Sequence, residues 1–418
     1  MNKYLYILGL AGAALFSACS NSDDLSIVES PAVDKAKESV LIYEAGQNSE
    51  VPITLGISQS RGYTRTPINP SDVVGGYGNF TTEDSRYLGV FCLATGKQAD
   101  VDVSNIPDAV AINHWNADAN GELGGLLVKL KDVPAKVTKS GSAYSLKFWR
   151  ITGDKEEHYY YPMCNWMKYN FYAYYPQTNS STTVIDESTV WVTGYEIDGS
   201  QDVIWGMTDQ VNSASVAADP YCANYFRLAR EVAGGGDISG DYPKFKFKHQ
   251  LVQFNFFFKA VNDAAYTALY AAKAKITDMC IVNAIYKLKF CVASQDANFD
   301  DCQLTKDGDV TTQLGIKKRL TNDNVFGGGY NQWIKEANDV VSPQTVSNGY
   351  VGYIMLPSPK VYNDSFTYQL KMTVNYKDGS IFKNKDITIN LEPRTTDGFV
   401  AGKTYNIIIR LDSSDLGI

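Results

Sequence analysis

Apolar and polar residues alternate with period 2 along most of the chain, and a 3.6-residue apolar period is scarce. Val51, Ile53, Leu55 and Ile57 alternate with Pro52, Thr54, Gly56 and Ser58. Tyr144, Leu146 and Phe148 form a second series, and Tyr169, Phe171, Ala173 and Tyr175 a third that Pro176 closes. Successive side chains of a strand point to opposite faces, so each series predicts a strand with one buried face. Between Phe245 and Phe258 the parity changes: Phe245, Phe247, His249 and Leu251 share one, and Val252, Phe254, Phe256 and Phe258 share the other. A β-bulge near Leu251-Val252 would return both sets to one face. Phe366 to Tyr376 alternate up to Lys377-Asp378-Gly379-Ser380, and Ile387, Ile389 and Leu391 return, which predicts a hairpin. Tyr405, Ile407, Ile409 and Leu411 predict a last strand after the turn Ala401-Gly402-Lys403. Only Asp263 to Lys275, Ala-rich behind an Asn262 cap, predicts a helix.

Many short antiparallel strands separated by loops predict an all-β protein of sandwiches, whose sheets bury their alternating apolar faces against each other. The Gly-rich stretch Val232-Ala233-Gly234-Gly235-Gly236-Asp237 interrupts the strand signals and puts the expected domain boundary near residue 240. Composition agrees with strands: 12% of the 418 residues are aromatic, 28 of them Tyr, and aromatics pack well on a half-buried pleat. Lys plus Arg is 38 against 46 Asp plus Glu, and the net charge of −8 excludes a general attraction for nucleic acid.

The first residues change the picture of where the chain works. A basic start at Lys3 and an apolar run from Tyr4 to Phe16 have the organisation of a secretory signal peptide over residues 1–18. Leu15-Phe16-Ser17-Ala18-Cys19 resembles the lipobox of bacterial lipoproteins, which makes Cys19 the candidate acylated residue. Ser20-Asn21-Ser22-Asp23-Asp24 is similar to the signal that sends Bacteroidetes lipoproteins to the outer face of the outer membrane. Residues 19–47 are polar without sustained periodicity and read as a tether. Cys92, Cys164, Cys222, Cys280, Cys291 and Cys302 have no CxxC spacing and read as buried thiols, with Cys291 and Cys302 the first pair to test for a bridge.

Catalytic and metal chemistry finds few candidates. The chain has three histidines, His114, His158 and His249, and lacks HExxH and GxSxG spacing. His249 lies on the apolar parity of its strand and reads as a hydrogen-bonded core residue. Asn116-Ala117-Asp118-Ala119-Asn120-Gly121 imitates the opening of an EF-hand loop, but the bidentate acid is replaced by Leu127, so a turn is the better reading. Gly234-Gly235-Gly236 and Gly327-Gly328-Gly329 lack the Lys and helix start of a phosphate cradle. Tyr159-Tyr160-Tyr161 and Trp166 could stack on sugars, although strand packing explains them as well. No catalytic residue, cofactor or metal is assigned.

Several separate stretches together resemble the fimbrillin family of Bacteroidales, the FimA-like and Mfa-like subunits of type V pili. They are Tyr87-Leu88-Gly89-Val90-Phe91, Tyr161-Pro162-Met163, Tyr169 to Pro176, and Gln201-Asp202-Val203-Ile204-Trp205-Gly206. Phe245 to Leu251, Ile354-Met355-Leu356-Pro357 and Ala401-Gly402-Lys403-Thr404-Tyr405 continue the pattern. The resemblance implies two transthyretin-like antiparallel β-sandwich domains in tandem, residues 48–240 and 241–418, and no enzymatic activity. It also implies a lipoprotein precursor cut after an arginine by an extracellular arginine-specific protease, with loss of the first strand, about residues 50–58. A stalk fimbrillin's extended segment then fills the vacated groove by strand addition. Arg61 and Arg65 follow the Val51, Ile53, Leu55, Ile57 strand at once, and Thr64-Arg65-Thr66-Pro67 is the more similar to the family's site. Asp412 to Ile418 are too short and polar to act as a donor, so the expected role is a tip-type or accessory subunit of the fimbrium. The alternative is a self-contained surface lipoprotein that binds a host glycan or protein through exposed aromatics.

Overall fold

The computed structural model describes residues 52–57, 87–97, 114–118, 125–140, 143–161, 167–208, 243–296, 298–316, 350–393 and 397–418. The first half contains β1 (Leu55–Ile57), β2 (Leu88–Lys97), the short helix α1 (Trp115–Asp118), β3 (Val128–Ser140), β4 (Ala143–Arg150) and β5 (Lys155–Glu156). It continues with β6 (Met167–Tyr175), β7 (Thr182–Ile185), β8 (Thr189–Glu196), β9 (Ile204–Thr208) and β10 (Lys244–His249). The second half has β11 (Val252–Ala260), the helix α2 (Asp263–Ala271), β12 (Lys275–Ile285), β13 (Lys287–Ser294), β14 (Gln303–Lys306) and β15 (Thr311–Gly315). After these come β16 (Tyr350–Leu356), β17 (Gln369–Asp378), β18 (Ile381–Asn390), β19 (Thr404–Leu411) and the short helix α3 (Ser413–Leu416). The all-β expectation holds.

Seven strands of the first half close into a ring, in the order β1-β10-β9-β6-β2-β3-β4 and back to β1, with β5 appended to β4. In the second half β16-β11-β19 and β15-β12-β17-β18 are separate sheets, which meet where Phe254 of β11 packs on Tyr368 ahead of β17. A fourth sheet, β14-β13-β8-β7, takes one hairpin from each half. Among the described residues, strand pairing therefore crosses residue 240 three times, through β1 with β10, β9 with β10 and β8 with β13, while the Gly-rich stretch 232–237 lies outside the described residues.

The antiparallel expectation needs correction at two pairs. β1 runs parallel to β10, and β11 runs parallel to β19 from Gln253 opposite Thr404 to Ala260 opposite Leu411. The parity change at Leu251-Val252 is a change of sheet rather than a bulge: β10 ends in the ring at His249 and β11 begins in another sheet at Val252. Each strand then buries its own parity, Phe245 and Phe247 in one, Val252, Phe254 and Phe256 in the other. A bulge does occur, at Phe256/Phe257 against β16.

β6 departs from its alternating pattern, because all nine of its residues are buried. Tyr169 and Phe171 pack on Tyr161, and the Tyr169 hydroxyl donates to the Leu126 carbonyl at 2.8 Å. On the opposite parity Tyr174 meets Phe290 of β13 at 5.3 Å, and Tyr172 meets Phe299 at 6.3 Å. The second half thus covers the outer face of a ring strand. The helix forms behind Asn262, whose side chain accepts from the Ala265 N–H at 2.8 Å, but it stops at Ala271, with Lys273 at φ +52. The hairpin is β17–β18, turned by Gly379 at φ +61.

Candidate functional site

The segment Pro52–Ile57 is the piece that closes the ring. Ile53, Leu55 and Ile57 are buried at 6%, 0% and 7% exposure, while Pro52, Thr54 and Gly56 are partly exposed, so the alternation is a row of plugs pointing inward. On one side Leu55 stands opposite Leu146 and Gly56 opposite Ser145 of β4. On the other, Gly56 stands opposite Lys244 and Ile57 opposite Phe245 of β10. Its N-terminal part is held by an Ile53 N–H donating to the Tyr159 carbonyl at 2.8 Å, and Gly56 N–H donates to the Pro243 carbonyl at 2.9 Å. β1 itself is only 3 residues long. A strand this short makes few main-chain bonds, so its hold on the ring comes mainly from three buried side chains, each contributing about 1.5–3 kcal/mol of transfer free energy.

Elsewhere in the ring, strands come together by close backbone approach. Gly206 of β9 faces Phe247 of β10, and a Cβ added there would lie 2.5 Å from the Phe247 ring and 2.8 Å from the Lys246 carbonyl. Gly89 of β2 has the same character, since a Cβ would fall 2.0 Å from Asp132 Oδ1 and 2.5 Å from the Tyr174 ring. Asp132, at φ +52, accepts from the hydroxyls of Tyr174 and Thr183 and from Gln177 Nε2, each at 3.0 Å. Burial pushes its carboxyl above the ordinary value, and the three hydrogen bonds pull it back in part.

The scattered stretches of the family pattern meet in pairs. Gly89 and Phe91 stand opposite Tyr174 and Tyr172, and the Gln201–Gly206 stretch meets Phe245–Leu251 through β9 and β10. At the change of sheet, Val252 stands opposite Leu356, Gly402 N–H donates to the Leu251 carbonyl at 2.8 Å, and His249 Nδ1 bonds Asp202 Oδ2. The His249 reading as a hydrogen-bonded residue fits this pair. The other carboxylate oxygen of Asp202 is buried with no partner among the described residues.

Among the described residues no group of three His, Cys, Asp or Glu could hold a metal ion. Asp118 of the EF-hand-like stretch is buried and accepts main-chain N–H groups of Gly125, Leu127 and Val128 at 3.1, 2.6 and 3.0 Å, which makes it a turn anchor. His158 is exposed, and Tyr159 packs on Phe148 at 5.1 Å. Cys92, Cys280, Cys291 and Cys302 are free thiols; Cys291 stands opposite Gln303 rather than Cys302, and burial pushes its thiol up to about 11. Cys19, Val51, Arg61, Arg65, Cys164, Trp166, Cys222 and Gly327–Gly329 lie outside the described residues.

No family model matches the chain, and no curated protein matches it. Among solved structures it is similar to a proposed cell adhesion protein from Bacteroides uniformis, at 12% identity and a TM-score of 0.42, over 88% of this chain and 94% of that one. A proposed cell adhesion protein from Bacteroides eggerthii gives 9% and 0.34, over 88% of each chain. The fimbrial anchor protein Mfa2 from Porphyromonas gingivalis gives 7% and 0.31, over 86% of this chain and 90% of that one. Function is read from the strands themselves.

Proposed function

We propose that this protein is a non-enzymatic structural and adhesive subunit of a type V pilus, assembled by donor-strand exchange in the seat of β1. The observation that carries the reading is the segment 53–57, whose three-residue strand completes the ring between β4 and β10 and which carries three inward plugs. Loss of this strand would bare an apolar trough between two strand edges, which an extended segment of a neighbouring subunit fills by pairing with both. The two halves read as related transthyretin-like units, since each places its first strand parallel to its last and antiparallel to an inner one.

In this reading the precursor is a lipoprotein acylated on Cys19 and carried to the cell surface, and an arginine-specific protease cuts at Arg61 or Arg65 to release β1. After the last strand, Asp412 caps α3 and Leu416 is buried in the core. The test mixes protein cleaved at those arginines with a stalk subunit. A complex that survives SDS supports strand exchange, while correct cleavage without such a complex sinks it and leaves the stand-alone lipoprotein. N-terminal sequencing of the surface form adds a check, with a start at Gly62 or Thr66 expected and a lipidated Cys19 opposed.

A further inference from the structure

β18 is the outermost strand of its sheet, and among the described residues no strand meets its outer edge. Opposite it, β17 buries Leu370, Met372, Val374 and Tyr376 on one face. The register puts Ile389, Ile387, Lys385 and Lys383 of β18 on that same face. Ile387 and Ile389 pack partly on the core, but Ile381 to Asp386 are all exposed. The face of this edge strand thus changes from apolar to cationic along its length. Lys383 pairs with Asp378 of the turn at 2.7 Å, and Lys385 has no carboxylate partner among the described residues. At the tip Ile381 and Phe382 are 66% and 55% exposed, more than any other large hydrophobic side chain described.

An open edge of 10 residues is a template for another strand unless its side chains forbid the pairing. A second copy meets that obstacle. Antiparallel pairing of two β18 strands with both cores on one side sets Lys383 against Lys385 when centred on residue 384. Centred on 385 it opposes two copies of Lys385, and centred on 386 two copies of Asp386. Like charges directly opposite destabilise a sheet, and these central registers keep most of the strand paired.

We propose that the outer edge of β18 is a strand-addition site for an extended acidic segment of a different protein. Main-chain bonds along the edge supply affinity, carboxylates two residues apart lie beside Lys383 and Lys385, and an apolar side chain on the opposite face lies beside Phe382. The site is separate from the seat of β1, so it is open whether or not that strand has been removed.

The test follows amide hydrogen exchange of residues 381–390 in the full chain, with a synthetic ten-residue peptide of alternating Val and Glu at millimolar concentration and low salt. The expected result is at least tenfold slower exchange in β18, no slowing by the alternating Val and Lys peptide, and a reversed preference in the Lys383→Glu, Lys385→Glu variant. Both lysines are exposed, and an unchanged circular dichroism spectrum verifies the fold of the variant. The proposal is overturned by unchanged exchange with the acidic peptide, or by slowing that ignores the charge reversal. Slowing that needs no peptide and grows with protein concentration would also overturn it, in favour of a second copy.

Discussion

β1 and β11 occupy the same position in their two halves and are held to different degrees. Each is the first strand of its half, parallel to the last strand and antiparallel to an inner one. β11 is 9 residues long, pairs with β19 and β16 along most of its length, and buries Phe254, which packs on Tyr368, Phe399 and Tyr405. β1 is 3 residues long and relies on the plugs Leu55 and Ile57 together with Ile53 just ahead of it. Stability within a domain is uneven, and a segment with few main-chain bonds opens at lower cost than a core strand. The same topological place is therefore filled by a long, fully paired strand in one half and by a short, sparsely paired one in the other.

Five outcomes break or sharpen this contrast. Phe254→Ala is expected to cost about 3–5 kcal/mol of global stability in urea unfolding, and a loss under about 1 kcal/mol would mean β11 is no more fixed than β1. Gly206→Ala drives a methyl into Phe247 of β10, the strand that pairs with β1, with an expected loss of about 1–3 kcal/mol, so an unperturbed melting temperature would show the ring to be slack there. Leu55→Ala should cost about 1–2 kcal/mol despite complete burial, because the penalty cannot exceed the free energy of detaching β1; a loss as large as that of Phe254→Ala contradicts the contrast. Amides of residues 53–57 should exchange at least tenfold faster than those of 253–260, a difference of about 1.4 kcal/mol, and equal rates would erase the contrast.

The smallest effect is a pH dependence within the ring. Burial raises the Asp132 carboxyl, so the folded chain holds this proton to higher pH than the unfolded chain does. Its contribution to stability is lost as pH rises through the interval above the ordinary carboxylate value. Asp132→Asn should flatten the stability profile in that interval, and a profile parallel to that of the unaltered protein would assign the pH response to other groups.

Much of the fold is legible in the chain, and for a local reason. Period 2 marks the β17–β18 hairpin with its turn at Gly379, and Asn262 marks the start of α2, because such signals act over a few residues. The inward plugs Ile53, Leu55 and Ile57 are legible in the same way. Two features are not. The parity switch at Leu251-Val252 has two local solutions, a bulge or a change of sheet, and only the strands on either side choose between them. Tyr172 and Tyr174 of β6 look no different from exposed positions of an alternating strand until Phe290 and Phe299, more than a hundred residues away, cover them.

The amino-acid sequence by itself determined the all-β class, the turns and the face of each strand that seeks a core, since side-chain direction along a strand is a local property. Only the tertiary structure decided which strands pair, that two pairs are parallel, and that a three-residue strand closes the ring. Those choices depend on register and burial between segments far apart in the chain, where the free energy of a pairing belongs to both partners and is written in neither.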